Sequence, residues 1–150
     1  HGVAFNPRVR GVLYVPALGA GRVVQARISG GGGLEDIAPP YPLPWCSGPR
    51  HAAAHPHLNV LYVVTEFSKE VFALALSSRG GAVVSTLGAV RLMVGKPEDD
   101  DAATGAEVAV HPSGRWLLAS VRVAAGPGGG APPPGRLLVF PLGEGAGALG

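Results

Sequence analysis

Two arginines, a glutamate and a histidine stand at matching places along this chain of 150 residues. Arg50 and Glu66 bracket the stretch GPRHAAAHPHLNVLYVVTEFS, residues 48–68, while His1 and Arg122 occupy comparable places before and after it. A guanidinium meets a carboxylate or phosphate with a planar fork of N–H donors. An imidazole carries protons near neutral pH, and a carboxylate can take one from water. The four types together could hold an anion and move a proton beside it. The same stretch has His51, His55 and His57 within seven positions, which raises metal binding as a rival chemistry. Structural zinc wants four ligands, usually with paired Cys or His, and the chain has a single cysteine, Cys46.

Whether these residues meet depends on the elements that carry them. Three segments share a pattern: HGVAFNPRVRGVLYVPALGAGRVVQARI from His1, RHAAAHPHLNVLYVVTEFSKEVFALAL from Arg50, and AEVAVHPSGRWLLASVR from Ala106. Each has a short apolar run, then Asn-Pro or His-Pro, a polar turn and a second apolar run. Pro7, Pro56 and Pro112 mark the register, 49 and 56 residues apart. The runs are short, rich in Val, Leu, Tyr and Phe, and bounded by Gly, Pro, Asn and Ser, so they read as strands. No helical period is sustained. GAVVSTL, with Gly81 leading in, supplies a fourth strand to the second unit, and a weak edge strand is expected near Leu34 to Ile37. Four strands per unit at ~40–50 residues is the signature of β-propeller blades.

The expected fold is therefore all-β, with blades of four antiparallel strands. Residues 1–150 form a partial propeller of roughly three units, about 1–49, 50–105 and 106–150. A closed ring needs about 4–8 blades, so the chain reads as a fragment of a larger ring, with open edges if taken alone. GKPEDDDAATG (95–105) reads as an acidic surface connection and AAGPGGGAPPPG (124–135) as a low-complexity insertion.

In each unit the first two strands form a hairpin. The start of the first strand and the end of the second then share a face, and the turn between them lies ~17–20 Å away on the other. His1 and Arg50 precede first strands. Glu66 and Arg122 follow second strands, each four residues after the matched positions Tyr62 and Leu118. First strands line a propeller's central channel, so His1, Arg50, Glu66 and Arg122 should converge on its mouth, with His51 and Glu107 close by. His55, His57 and His111 flank the turns on the far face, where Pro and polar residues are ordinary turn chemistry. His51 is thereby separated from His55 and His57, and no metal is expected.

Composition narrows the function classes. The chain is 47% apolar with net charge +2 and no basic stripe interleaved with aromatics, so no nucleic-acid partner is expected. No apolar run approaches the ~20 residues of a membrane span, and no membrane partner is expected. A lone cysteine excludes an internal disulfide and fits a reducing, cytoplasmic compartment; the chain opens on His1 and not Met, so targeting cannot be read from it. Gly19 and Gly21 follow a strand, as in a dinucleotide fingerprint, but Val24 replaces the third glycine and unit two lacks both, so a hairpin turn is the reading. Cys46 sits in PLPWCSGP with no base at a fixed spacing and reads as a free loop thiol. EDDD, 98–101, reads as a solvated acidic loop. Tyr14, Tyr62 and Trp116, in second strands, are expected to pack between blades.

HGVAFNP…LYVPALGAGRV, GPRHAAAHP…LYVVTEFSKEV and AEVAVHPSGRWLLASVR resemble successive blades of the seven-bladed propeller lactonase family, which includes 6-phosphogluconolactonases and carboxy-cis,cis-muconate cyclases. The family's His, Arg, Glu and second Arg map onto His1, Arg50, Glu66 and Arg122, the four that the hairpin geometry selects. The resemblance implies a catalytic set of these four, with Arg50, Arg122, His51 and Glu107 binding a small anionic lactone and no cofactor. It implies hydrolysis of 6-phosphogluconolactone at the channel mouth. Lactonising isomerisation of a carboxymuconate is the alternative enzyme, and a non-catalytic interaction scaffold the alternative outside enzymes. A scaffold would show mixed apolar and polar residues at the mouth in place of the charged cluster. Oligomeric state is not readable from the sequence.

Overall fold

Each of the three repeats folds into its own antiparallel sheet in the computed structural model, which describes residues 2–92, 102–124 and 134–143. Unit one comprises β1 (Ala4–Phe5), β2 (Val12–Ala17) and β3 (Arg22–Ile28), with β4 (Leu34–Asp36) and β5 (Tyr41–Pro42) both paired to β3. Unit two is a four-stranded meander of β6 (Pro49–Ala54), β7 (Val60–Thr65), β8 (Glu70–Leu76) and β9 (Val83–Arg91). Unit three has β10 (Ala103–Val110), β11 (Trp116–Val123) and β12 (Arg136–Pro141). The fourth strand expected in unit two is present as β9 and runs on to Arg91, and β4 is the short strand expected near Leu34.

The sheets stack face to face, and the strand patterns say why. VLYVVT in β7 is buried throughout because the sheet of unit two has a neighbour on both faces. Val60, Tyr62 and Val64 point toward Val108, Leu117, Ala119 and Val121 of unit three. Leu61 and Val63 point the other way, with Phe72 and Leu74, toward Val12, Tyr14 and Val23 of unit one. In β12 the alternation returns: Leu138 and Phe140 pack on the core while Leu137 and Val139 are exposed.

Two expectations need correction. Trp116, the first residue of β11, is 42% exposed and does not pack between blades as Tyr14 and Tyr62 do, both at 0%. Ala103–Gly105, assigned to a connecting loop, begin β10 instead, paired with Val123, Arg122 and Val121. Residues 93–101, which include the acidic run, and most of the Gly/Pro insertion lie outside the described residues.

The Asn-Pro and His-Pro marks of the repeat have one local cause. Asn6 Oδ1 accepts from the backbone N–H groups of Arg8 and Val9, at 2.8 and 3.0 Å. His55 Nδ1 accepts from those of His57 and Leu58, at 3.0 and 2.9 Å. His111 Nδ1 accepts from Ser113 N–H at 3.2 Å. Imidazole and amide thus play the same part, an acceptor that closes the turn beyond a proline lacking its own donor.

His55 also joins two units directly. With Nδ1 accepting, its proton sits on Nε2, which donates to the Gly114 carbonyl at 2.9 Å and ties unit two to unit three. Gly114 has φ +72°, and a Cβ there would stand 2.6 Å from His55 Cε1, so only glycine fits. Burial pushes the His55 pKa below its ordinary value, against the opposing pull of the Gly114 bond. The folded state thus holds His55 neutral. Its contribution to stability is present above the unfolded value of ~6.5 and is lost as pH falls through the lower folded value. His55→Asn in the complete protein keeps the turn acceptor, as Asn6 does, and gives up the Gly114 bond. It is expected to cost about 1 kcal/mol at pH 7.5, with a smaller loss between pH 7.5 and 5 than wild type, read by urea unfolding.

Candidate active site

Arg50 and Glu107 both sit where a strand breaks register. Along β6, Pro49 pairs with Thr65 and His51 with Val64, so Arg50 is an extra residue in the ladder. Along β10, Gly105 pairs with Val121 and Val108 with Ala119, leaving Ala106 and Glu107 opposite Ser120 alone. Such bulges re-aim side chains and free backbone groups from the ladder. Here they free the carbonyl of Ala106, and Ser120 Oγ satisfies Glu107 N–H at 3.1 Å.

The freed groups converge on one guanidinium. Arg50 Nε donates to Glu66 Oε2 at 2.8 Å, and Nη1 donates to the Ala106 carbonyl at 2.7 Å. Nη1 also stands 3.2 Å from His51 Nε2. On the far side of that ring, His51 Nδ1 lies 2.6 Å from Glu107 Oε2. Arg122 Nη2 approaches the other oxygen of Glu66, Oε1, at 3.7 Å. The result is one chain of contacts, Glu107–His51–Arg50–Glu66–Arg122, in which an imidazole stands between a carboxylate and a guanidinium. It crosses from unit three to unit two and back. Glu66 is anchored by its own N–H on the Gly48 carbonyl at 2.7 Å, and its carbonyl receives Gly105 N–H at 3.0 Å.

The packing has a ring logic. Counting back from the turn residues Asn6, His55 and His111, the residues Gly2, His51 and Glu107 hold the same position in successive units. They are also spatial neighbours: a Cβ on Gly2 would touch the His51 ring at 3.3 Å, and His51 pairs with Glu107. Arg50 and Ala106 are likewise equivalent, and Arg50 holds the carbonyl of its counterpart.

Of the site residues read from the sequence, the structure brings together Arg50, Glu66, Arg122, His51 and Glu107. His1 lies outside the described residues; its neighbour Gly2 donates its N–H to the Arg50 carbonyl at 3.4 Å. Arg122 is not past its strand but inside β11, paired with Thr104, because β11 runs on to Val123. His55, His57 and His111 keep to the opposite face, as the hairpin geometry requires. Sequence reasoning missed Ala106, which acts through its carbonyl, and Ser120. The only signal for either was the alignment of RHAAAHP with AEVAVHP, which sets Ala106 opposite Arg50. It also missed a recess of about 180 Å³ beside the cluster, between units one and two, lined by Leu18, Trp45, Cys46 and Phe67 among others. Trp45 there is 94% exposed.

Comparisons with known proteins agree with this architecture. The profile of the family described as Lactonase, 7-bladed beta-propeller, matches residues 1–148. The chain belongs to that family. No curated protein matches it significantly. Among solved structures, a protein from Lactobacillus plantarum is similar with a TM-score of 0.77 at 23% identity, over 97% of this chain and 38% of its own. A candidate 6-phosphogluconolactonase from Bacteroides uniformis has a TM-score of 0.74 at 18% identity, over 95% of this chain and 38% of its own. The periplasmic gluconolactonase of Pseudomonas aeruginosa has a TM-score of 0.73 at 22% identity, over 93% and 36%. The propeller lactonase chain therefore spans between a third and two fifths of the length of these structures.

Proposed function

We propose that the protein containing this chain hydrolyses a sugar lactone bearing an anionic group, with 6-phosphogluconolactone as the substrate. The observation that carries the reading is the seating of Glu66 between two guanidiniums. Oε2 is committed to Arg50, while Oε1 meets Arg122 only at 3.7 Å, beyond hydrogen-bond distance. Membership of a lactonase family supports the reaction class.

Water on Glu66 Oε1 attacks the lactone carbonyl carbon, and its proton passes to the carboxylate. Arg122, more than half exposed, faces the oxygen on which negative charge develops. Arg50 presents Nη2 to the substrate's phosphate or carboxylate; among the described residues this nitrogen has no hydrogen-bond partner. Collapse of the tetrahedral adduct breaks the ring C–O bond, and the departing oxygen takes a proton from Glu66 or from His1. The products are the free hydroxyl and the carboxylate.

The test is turnover by the complete protein on 6-phosphogluconolactone, gluconolactone and a carboxymuconate, with product identified in each case. Hydrolysis of the phosphorylated lactone with the highest kcat/KM is expected. Cyclisation of the carboxymuconate without lactone hydrolysis would move the assignment to an isomerase, and inertness on all three would leave a binding scaffold.

A further inference from the structure

We infer that Glu107 and His51 are positioning residues that aim Arg50 at its ligand; this rests on the proposed anion-binding role of Arg50 and assigns the pair a task distinct from binding substrate themselves. A guanidinium has five N–H donors in a fixed plane. For Arg50, Nε–H goes to Glu66 and one Nη1–H to the Ala106 carbonyl. The second Nη1–H meets His51 Nε2 at 3.2 Å, which requires a lone pair on that nitrogen. Three of the five donors are thus taken by Glu66, Ala106 and His51, and among the described residues the two Nη2–H groups have no hydrogen-bond partner.

Which nitrogen of His51 carries its proton decides whether this arrangement holds. Glu107 Oε2 lies 2.6 Å from Nδ1, so the proton is drawn to Nδ1 and Nε2 is left as an acceptor. The opposite tautomer would turn an N–H against the Arg50 N–H. Glu107 is itself fixed: its Oε1 accepts from Val108 N–H at 2.9 Å, and its own N–H is held by Ser120. Gly2 packs beside the ring: a methyl there would stand 3.3 Å from Cδ2. A carboxylate in unit three therefore reaches, through an imidazole in unit two, to set the orientation of an arginine two contacts away.

The experiment compares Glu107→Gln, Glu107→Ala, His51→Gln and His51→Ala in the complete protein. An amide oxygen can accept from His51 Nδ1–H as a carboxylate does, at the expense of the Val108 N–H contact that the other carboxylate oxygen makes, so Glu107→Gln should keep most of the wild-type affinity and kcat. Glu107→Ala releases the tautomer and should raise KM on the order of 10-fold with a smaller change in kcat, the mark of lost binding that ground and transition states share. His51→Ala should raise KM on the order of 10–100-fold, and His51→Gln, whose amide oxygen can accept from Arg50, should recover part of it. Side-chain ¹⁵N shifts should show His51 protonated on Nδ1 in wild type and Glu107→Gln, and shifted toward Nε2 in Glu107→Ala. A Glu107→Gln variant whose kcat falls as far as that of Glu107→Ala would overturn the inference, because the charge of Glu107 would then be needed for proton transfer. Equal losses in all four variants that follow only their thermal stability would overturn it as well. If wild type hydrolyses no lactone, the functional reading falls separately, and the same order is read from the Kd for 6-phosphogluconate by calorimetry. Wild type that fails to bind this anion removes the role of Nη2 and with it the inference.

Discussion

Glu66→Gln in the complete protein is expected to lower kcat for lactone hydrolysis by on the order of 10²–10⁴-fold, the range set by removing a general base. That corresponds to about 3–5 kcal/mol of transition-state stabilisation. The amide retains the shape of the carboxylate and an oxygen to accept from Arg50 Nε, now at 2.8 Å. Backbone anchors at Gly48 and Gly105 do not involve the side chain, so the hairpin end should stay in place. About a fifth of each side chain is open to solvent, and the amide keeps the hydrogen bond from Arg50, so the loss of stability is expected to be small. Circular dichroism and thermal unfolding close to wild type, together with the collapse of turnover, form the expected result. Near-normal turnover would reduce the Arg50–Glu66 pair to a tie between strand ends.

Gly105→Ala should damage both fold and site through one added carbon. A Cβ at this position would collide with the Thr65 carbonyl oxygen and lie 3.1 Å from its carbon. Both atoms are backbone, so no side-chain rotation relieves the clash, and β10 must move away from β7. Overpacking of this kind costs ~1–3 kcal/mol or more. The displacement also pulls at the bond from Gly105 N–H to the Glu66 carbonyl and carries Ala106 away from Arg50. Since a shift of ~1 Å in a reacting group can cost ~10²-fold, kcat/KM should fall by about that factor in the fraction that folds. The denaturation midpoint and kcat/KM are measured together. A wild-type midpoint with wild-type activity would mean that the close contact between units is not where the structure has it.

The fold was legible because the repeat is written in turn chemistry. Asn6, His55 and His111 before proline are the visible trace of three equivalent turns, and the apolar runs around them have strand length. Once hairpins are assigned, the face that carries Arg50 and Glu66 follows from strand geometry alone. What escaped notice lies in the backbone. The strand start at Ala103 is spelled by Ala, Thr and Gly, of which only Thr favours strands, and pairing with β11 decides it. The bulges at Arg50 and at Ala106–Glu107 leave no mark in composition. The role of Ala106 belongs to its carbonyl, which every residue has. Trp116 was expected in an interface because it is large and apolar, yet its place at the head of β11 leaves it open.

A bulge is one residue more than the ladder needs, and it shifts the phase of everything on its side of the strand. Removing one residue at 49–51 would restore even pairing with β7 and turn the guanidinium of residue 50 to the other surface of the blade. Removing one at 106–107 would do the same to the carboxylate that faces His51. The composition of the hub would be almost untouched, and its charge pattern would be gone. Within rings built this way, an insertion or deletion of a single residue at the inner strand acts on chemistry as strongly as any substitution. Chain length at those two points is therefore part of the specification of the site.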